Sequence, residues 1–330
     1  MRRREFLMLL GSAAAAWPRA ARAQQPDRMR RIGVLMSIEE GDPEGQARVA
    51  AFRQGLRELG WTEGGNLRID WRWSGGDLAR VRAYATELVR LAPEVIVANS
   101  SPVLAAVREA TRSIPIVFVI VNDPVAQGFI ASLARPGGNV TGFTFLEYSM
   151  VGKSLELLKQ VAPRVTRVAF MYHPETYPYY NYYLPALEAN ARQYSVEVMD
   201  ATVRAEADIE AVVARLATTP GGGLIVAPDA YTLVHRAAIV RSADQHRIPA
   251  IYSYRQIVKE GGLMSYAPDT AAVFRRSASY VDRILKGANP AELPAQAPTR
   301  VDFVINLKVA KELGLDVPPA VLALADEVIE

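Results

Sequence analysis

The chain of 330 residues contains no cysteine and three histidines, His173, His235 and His246. Without cysteine there is no disulfide framework, no thiol nucleophile and no residue for lipid attachment, so a large apolar core has to provide the stability. His235 and His246 lie eleven residues apart on one predicted helix, which is too far for them to share a metal ion. We therefore expect neither a metal site nor a cofactor.

Sequence motifs of common enzyme classes and nucleotide sites are also missing. The chain has no G-x-S-x-G elbow, no H-E-x-x-H pair and no P-loop. The first strand leads into Met36–Glu39, where a dinucleotide site would have G-x-G-x-x-G. Gly221–Gly223 precedes a strand, and we interpret it as a loop. The sequence favours binding over catalysis, with an enzyme of unfamiliar site as the alternative.

The N-terminal segment has the pattern of a cleavable export signal. Arg2–Arg4 precede an apolar run over Phe6–Ala16, and Ala21-Arg22-Ala23 is the small-x-small pattern of a cleavage site, with Gln24 as the expected first mature residue. The apolar run is shorter than the roughly 20 residues needed to span a bilayer. Arg3–Leu7 resembles a twin-arginine signal, and a general secretory signal is the alternative. We expect a periplasmic protein.

Charge in the rest of the chain is nearly balanced. Residues 1–23 hold five arginines and one glutamate of the 38 basic and 35 acidic residues, which leaves 33 basic and 34 acidic side chains. The excess of positive charge therefore belongs to the N-terminal segment. A balanced chain does not indicate a polyanion partner, and we expect no nucleic-acid binding.

Short apolar runs alternate with amphipathic helical patterns along the chain. Continuous runs such as Ile116–Val121 and Gly223–Ala227 predict strands covered by helices on both faces, as in a parallel sheet. The alternation restarts after Gly137–Asn139, so we predict an α/β fold of two doubly wound, Rossmann-like domains joined by a hinge. Ligands bind such sheets beyond the carboxyl ends of the strands, which places the expected site in the cleft between the domains.

Polar side chains follow several predicted strands. Ser100 and Ser101 open a helix after the third strand, where hydroxyls and free backbone N–H groups suit a carboxylate. Asp123 follows the fourth strand, and Asp229 follows Gly223–Ala227, where a carboxylate suits a ligand ammonium. Each of these residues has a plain helix cap as its alternative role.

Tyrosines form a second group of candidates. Tyr172, Tyr254 and Tyr266 come at or just after predicted strand ends, and aromatic walls suit small-molecule pockets. Tyr180 and Tyr183 instead fall at helical spacing with Leu184 and Leu187, which predicts that these two tyrosines are core residues.

Several segments together resemble the ABC-transporter substrate-binding proteins that include tryptophan- and tyrosine-binding members. The resemblance runs from about Arg31 to Glu330, and its most specific segments are Phe52–Trp61 (FRQGLRELGW), Ser132–Gly142 (SLARPGGNVTG), Gly261–Tyr266 (GGLMSY) and Val304–Leu313 (VINLKVAKEL). It implies a type I periplasmic binding fold with three hinge crossings and closure on an amino acid or other small carboxylate. It also implies an ABC permease of the inner membrane as partner, and a monomer.

The resemblance further implies where the lobes and the site lie. We expect one lobe from residues 29–143 plus about 268–302, and the other from 144–267 plus about 303–330. Ser37 joins Ser100, Ser101, Asp123, Asp229 and Tyr266 as residues at cleft positions. In the amino-acid-binding members the position of Ser100-Ser101 holds the carboxylate and the position of Asp229 meets the ammonium. This chain departs in having Pro-Asp-Ala at 228–230, where those members tend to have Thr-Asp-Asn.

A ligand sensor that docks on a receptor would have the same fold and differ only in its partner. A regulator of the sugar-repressor type would carry an N-terminal helix-turn-helix where this chain has an export-signal pattern. We therefore keep the sensor, with the enzyme, as alternatives to transport.

Overall fold

The computed structural model describes residues 29–147 and 150–330. The export-signal pattern and its expected cleavage between Ala23 and Gln24 lie outside the described residues. Within the described part of the chain, no helix has the length and apolar character that crossing a membrane requires.

The described residues form strands and helices in near-regular alternation. The strands are β1 (Arg30–Met36), β2 (Leu67–Trp73), β3 (Val95–Asn99), β4 (Ile116–Val121), β5 (Val140–Thr144), β6 (Arg167–Tyr172), β7 (Glu197–Thr202), β8 (Gly222–Val226), β9 (Ala250–Tyr252), β10 (Met264–Ala267), β11 (Asp302–Asn306) and β12 (Glu327–Ile329). The helices are α1 (Pro43–Glu58), α2 (Leu78–Arg90), α3 (Ser101–Ala110), α4 (Val151–Val161), α5 (Tyr180–Gln193), α6 (Glu206–Ala217), α7 (Ala230–Val234), α8 (Arg236–Gln245), α9 (Arg255–Lys259), α10 (Thr270–Leu285), α11 (Leu307–Glu312) and α12 (Pro319–Leu322).

The strands build two sheets. The first has the order β2-β1-β3-β4-β5 and is parallel throughout, with Ile32 opposite both Ile69 and Val95. The second has the order β12-β11-β10-β9-β8-β6-β7. Its one antiparallel pair is β10 with β11, where Met264 lies opposite Ile305. The predicted α/β class with two doubly wound sheets is confirmed. Strands β11 and β12 are parallel to each other and run opposite to the other strands of the second sheet.

Three crossings connect the sheets. The chain leaves the first sheet after β5, returns after β10, and leaves again before β11. Between the last two crossings it forms α10, which packs against α1 and against β4. We call each sheet with the helices that pack on it a lobe, so that α10 belongs to the first lobe. The residue limits given above for the two lobes stay a prediction.

Helix ends follow the expected chemistry. Asp77, the residue before α2, accepts hydrogen bonds from the backbone N–H groups of Ala79 and Arg80 at 2.7 and 3.0 Å, which satisfies donors that the first helical turn leaves free. Gly60 and Gly287 end α1 and α10 with φ of 89° and 97°, a conformation that glycine adopts without strain.

The contact between α1 and α10 holds the first lobe together. Phe52 and Phe274 meet edge to face with ring centroids 6.5 Å apart. A Cβ atom at Gly55 would lie 2.5 Å from the carbonyl oxygen of Arg275. The two helix backbones therefore approach so closely at this point that only glycine fits.

Some predicted elements differ from the observed ones. His235 and His246, expected on one helix, are the N-cap and C-cap residues of α8, and α7 is a separate helix that ends at His235. Strand β12 and helix α9 were not predicted, because three to five residues are too few for a periodic pattern.

Candidate ligand-binding site

A small cavity lies where the carboxyl ends of strands from both sheets meet. In the first lobe its walls come from α1 and from the ends of β1, β3 and β4. In the second lobe they come from the segments before α5, around α7 and after β9. The cavity volume is about 10 Å³, close to what one water molecule needs. The lobes lie closed around it, so an organic solute enters only when they separate.

The first-lobe wall is strained at two residues. Ser100 has φ 87° and Ile120 has φ 59°, values that cost about 1–3 kcal/mol for residues other than glycine. The register between β4 and β5 shifts between Val119 and Val121, which places Ile120 in an irregular position. Strain of this kind concentrates at ligand sites because the surrounding fold has to hold it in place.

Ser100 and Ser101 both line the cavity. Ser100 is at the N-cap position of α3, yet its hydroxyl caps no helix N–H group. This hydroxyl is buried and has no hydrogen-bond partner among the described residues. The hydroxyl of Ser101 lies 3.1 Å from the hydroxyl of Tyr179 in the second lobe. The structure therefore leaves Ser100 available for a ligand and uses Ser101 in part to join the lobes.

Amide side chains complete the polar wall of the first lobe. The Ser37 hydroxyl donates to Asn99 Oδ1 at 3.0 Å, and both residues line the cavity. Asn122 Nδ2 donates to the carbonyl oxygen of Pro228 at 2.9 Å and to the hydroxyl of Tyr179 at 3.2 Å. Asn122, and not the neighbouring Asp123, is therefore the residue of this loop that reaches the second lobe.

Arg48 is the one charged side chain in the described lining of the cavity, and it is 1 % exposed. Its Nε donates to Glu44 Oε1 at 3.1 Å, within α1. Its Nη2 lies 3.0 Å from the same oxygen, but outside hydrogen-bond geometry, and has no hydrogen-bond partner among the described residues. The guanidinium lies 5.8 Å from the ring centroid of Tyr254. A buried cation, paired with Glu44 but with N–H donors that lack a well-aligned acceptor among the described residues, thus lies in the cavity lining.

Asp229 lies just behind the cavity wall and does not line it, although Pro228 and Ala230 on either side do. Its side chain accepts from the backbone N–H of His173 at 2.8 Å and of Tyr231 at 3.1 Å. It is 1 % exposed. Burial raises the pKa of this carboxyl to about 6, against the hydrogen bonds that favour its charged form.

The other predicted site residues divide between cavity and core. Tyr254 lines the cavity and stacks on Phe145 with ring centroids 5.4 Å apart. Tyr172 is 1 % exposed, donates to Asp200 Oδ1 at 2.9 Å and belongs to the apolar cluster of the second lobe. Tyr266 packs against that same cluster, and Asp123 accepts from a backbone N–H in its own loop. Tyr172, Tyr266 and Asp123 are outside the cavity lining.

The tyrosine-rich region, residues 172–183, contributes to the apolar core of the second lobe. Tyr183 and Leu187 are buried as predicted, at 2 % and 0 % exposure, whereas Tyr180 and Leu184 are partly buried against the same cluster. Tyr179 lines the cavity, so one residue of this region reaches the site.

An ion pair closes the cleft beside the cavity. Arg236 of the second lobe contacts Asp42 of the first, with Nη1 and Oδ2 2.7 Å apart, and it also contacts Glu260 in its own lobe at 2.7 Å. The side chains of Arg236 and Asp42 are 10 % and 12 % exposed. Water screens so buried a pair only weakly.

Sequence reasoning missed Arg48, Asn122 and Tyr179 as site residues. Glu44 and Arg48 have the spacing of an exposed helical ion pair, and the sequence carries no sign that α10 buries them. Asn122 is adjacent to the predicted Asp123, and its position at the end of a strand was a usable signal. Tyr179 precedes its helix, and its neighbours made it look like part of a core.

Comparisons with known proteins agree with this architecture. The family model described as ABC transporter substrate binding protein matches residues 31–329. The chain is 24 % identical over 289 residues to a tyrosine-binding protein of Clostridioides difficile (strain R20291), covering 87 % of this chain and 82 % of that protein. A conserved domain protein from Vibrio cholerae O1 biovar El Tor superposes with a TM-score of 0.84 at 28 % identity, covering 91 % of this chain and 100 % of that one. An ABC domain in complex with L-Trp from Streptococcus pneumonia gives 0.84 at 26 % identity, over 91 % and 99 %.

Proposed function

Because this chain belongs to the family of ABC transporter substrate-binding proteins, we propose that it is the periplasmic solute-binding component of an ABC importer. It captures a small carboxylate-bearing molecule between its lobes and presents the closed form to an inner-membrane permease. The division into lobes given above, export with signal cleavage, and a monomeric state are part of this proposal.

The cavity at the junction of the two lobes is the observation that carries the proposal. Its polar groups come from both lobes, and contacts such as Ser101 with Tyr179 cross the cleft. A solute that contacts both walls stabilises the closed form by its differential affinity for that form. A permease can distinguish the loaded protein by this closure.

The ligand class is supported by the site and by the relatives. Helix α3 starts at the cavity with Ser101 and leaves backbone N–H groups free there, which favours a carboxylate. The names of two similar proteins refer to tyrosine and to L-Trp. We therefore propose an amino acid or another small carboxylate, with aromatic acids included.

A binding role without catalysis agrees best with the side chains present. Among the described residues there is no cluster of three potential metal ligands. Asp229, a buried acid just behind the cavity wall, caps a helix and binds backbone N–H groups. Catalysis would need a perturbed acid or base in contact with the substrate.

A thermal-shift screen tests the proposal. The purified protein is melted with amino acids, their desamino acids, polyols, sugars and purines. A ligand present at 100 times its Kd raises the free energy of unfolding by about 2.7 kcal/mol. We expect a shift with one class of carboxylates, reduced by Ser101→Ala and unchanged by Ser132→Ala, whose hydroxyl lies on an exposed turn. No shift with any compound contradicts the proposal, and conversion of the ligand, seen by mass spectrometry, favours an enzyme.

A further inference from the structure

The cavity combines a cation with hydroxyl and amide groups. Arg48 supplies the one formal charge of the described lining, and no carboxylate lines it. The apolar part of the lining includes Leu233, Ile120 and the ring of Tyr254. The cavity therefore offers both hydrogen-bond donors and apolar surface.

Arg48 is buried, and not all of its N–H donors have a well-aligned acceptor among the described residues. A guanidinium has five N–H donors, and burying such donors without acceptors is costly. Glu44 Oε1 accepts from Nε and also lies 3.0 Å from Nη2, but outside hydrogen-bond geometry, so the N–H donors of Nη2 have no well-aligned acceptor among the described residues. The hydroxyl of Ser100, on the same cavity, is likewise buried and unpartnered in the described part of the chain. A ligand carboxylate would provide acceptors for both groups at once.

Glu44 acts as a positioning residue for this cation. It accepts from Arg48 Nε and from the hydroxyl of Thr270 at the start of α10, and it does not line the cavity. The ion pair therefore fixes the guanidinium, whose five N–H donors exceed what Glu44 accepts.

Among the described residues, no carboxylate lines the cavity as a partner for an ammonium group. Asp229 is set behind the wall, and its two oxygens already accept backbone N–H groups of His173 and Tyr231.

Building on the proposed function, we propose that the solute is an organic acid that carries no ammonium group. Its carboxylate binds the guanidinium of Arg48 and the hydroxyl of Ser100, and its apolar body lies against Tyr254, Leu233 and Ile120. Arg48 is thus the residue that selects for the carboxylate.

Matched ligand pairs test this without altering the protein. Calorimetric titrations compare L-tyrosine with 3-(4-hydroxyphenyl)propionate, L-tryptophan with indole-3-propionate, and L-leucine with 4-methylpentanoate. We expect the desamino acid of at least one pair to bind about 10- to 100-fold more tightly than its amino acid, and its methyl ester to lose binding by a similar factor, as for the loss of a hydrogen bond to a charged group.

Variants of α1 test the role of Arg48. Arg48→Met weakens binding of the acid by about 10- to 100-fold. Glu44→Gln combined with Arg48→Met gives the same loss without leaving a buried, unpaired carboxylate. Arg53→Met, on the same helix and paired with Glu63 on the surface, leaves the affinity unchanged.

The outcomes separate this inference from the proposed function. Tighter binding of the amino acid in every pair that binds, or an acid that binds the double variant as well as the native protein, overturns the inference and leaves solute capture intact. Binding of a polyol, sugar or purine without any carboxylate does the same. If no compound of the panel binds, both the inference and the proposed function are refuted.

Discussion

From the ion pair between Asp42 and Arg236 we predict how strongly this contact favours the closed form of the protein over the open form. Asp42 has two roles, because Oδ1 accepts from the backbone N–H of Glu44 at 2.9 Å as the cap of α1, while Oδ2 contacts Arg236 in the other lobe. Asp42→Asn keeps an oxygen for the cap and removes the charge. This substitution therefore separates closure from helix stability.

The magnitude follows from the geometry of the pair. A hydrogen bond to a charged group contributes about 1.5–3 kcal/mol. Both side chains regain water when the lobes separate, so we expect the closed form to lose about 1–2 kcal/mol relative to the open form. This changes the ratio of closed to open protein by roughly 5- to 30-fold. The apparent affinity for solute falls by no more than the same factor.

Energy transfer between two fluorophores measures the closed fraction. The chain contains no cysteine, so one introduced cysteine in each lobe directs the labels without competing reactions. Glu260→Gln is the matched control, because Glu260 holds Arg236 from within its own lobe and its removal leaves the contact with Asp42 in place. An Asp42→Asn protein as closed as the native one, or an equal opening in Glu260→Gln, would refute the reasoning.

Substitutions at Asp229, Gly142 and Tyr179 give distinct expectations. Burial raises the pKa of Asp229 to about 6 from 3.8, so the native state holds the proton more tightly than the unfolded state. The free energy of unfolding should therefore fall by about 3 kcal/mol at most as the pH rises from 4 to 6. Asp229→Asn should remove this pH dependence, which denaturant titrations across the range would measure. Gly142→Ala should lower the free energy of unfolding by roughly 3–5 kcal/mol, because φ is 155° and a Cβ atom would lie 2.1 Å from the Phe118 carbonyl oxygen. Gly128 lies in open space at φ 67°, so the control substitution Gly128→Ala should lower the free energy of unfolding by about 1 kcal/mol. Tyr179→Phe removes the hydroxyl that joins the lobes and should weaken solute binding about 5- to 10-fold in calorimetry; an affinity equal to that of native protein would show that these cross-lobe hydrogen bonds do not stabilise the closed form.

The fold was predictable because its strands and helices repeat a simple pattern. Runs such as Ile116–Val121 are buried along their whole length, and the sequence shows this directly as an unbroken apolar run. The exceptions are local. No pattern in the run containing Ile120 reveals that this β-branched residue adopts φ 59°, because the bulge depends on how β4 pairs with β5.

The candidate site was predictable only in part. Ser37, Ser100, Ser101 and Tyr254 line the cavity as expected, since residues at strand ends meet at one edge of a parallel sheet. Arg48 was not predicted as a site residue, because its burial is caused by α10, more than 200 residues further along the chain. Burial by a distant helix has no signal in a local pattern.

The place of α10 in the chain also determines when the first lobe can become stable during synthesis. This helix buries Phe274, Ala278 and Val281 against the first sheet, but residues 270–285 leave the ribosome long after β1 to β5 have been made. Until then, apolar side chains of α1 such as Phe52 lack their partner. Contacts so distant in sequence form late. The first lobe, although it begins the chain, is therefore completed only when almost the whole chain has been translated.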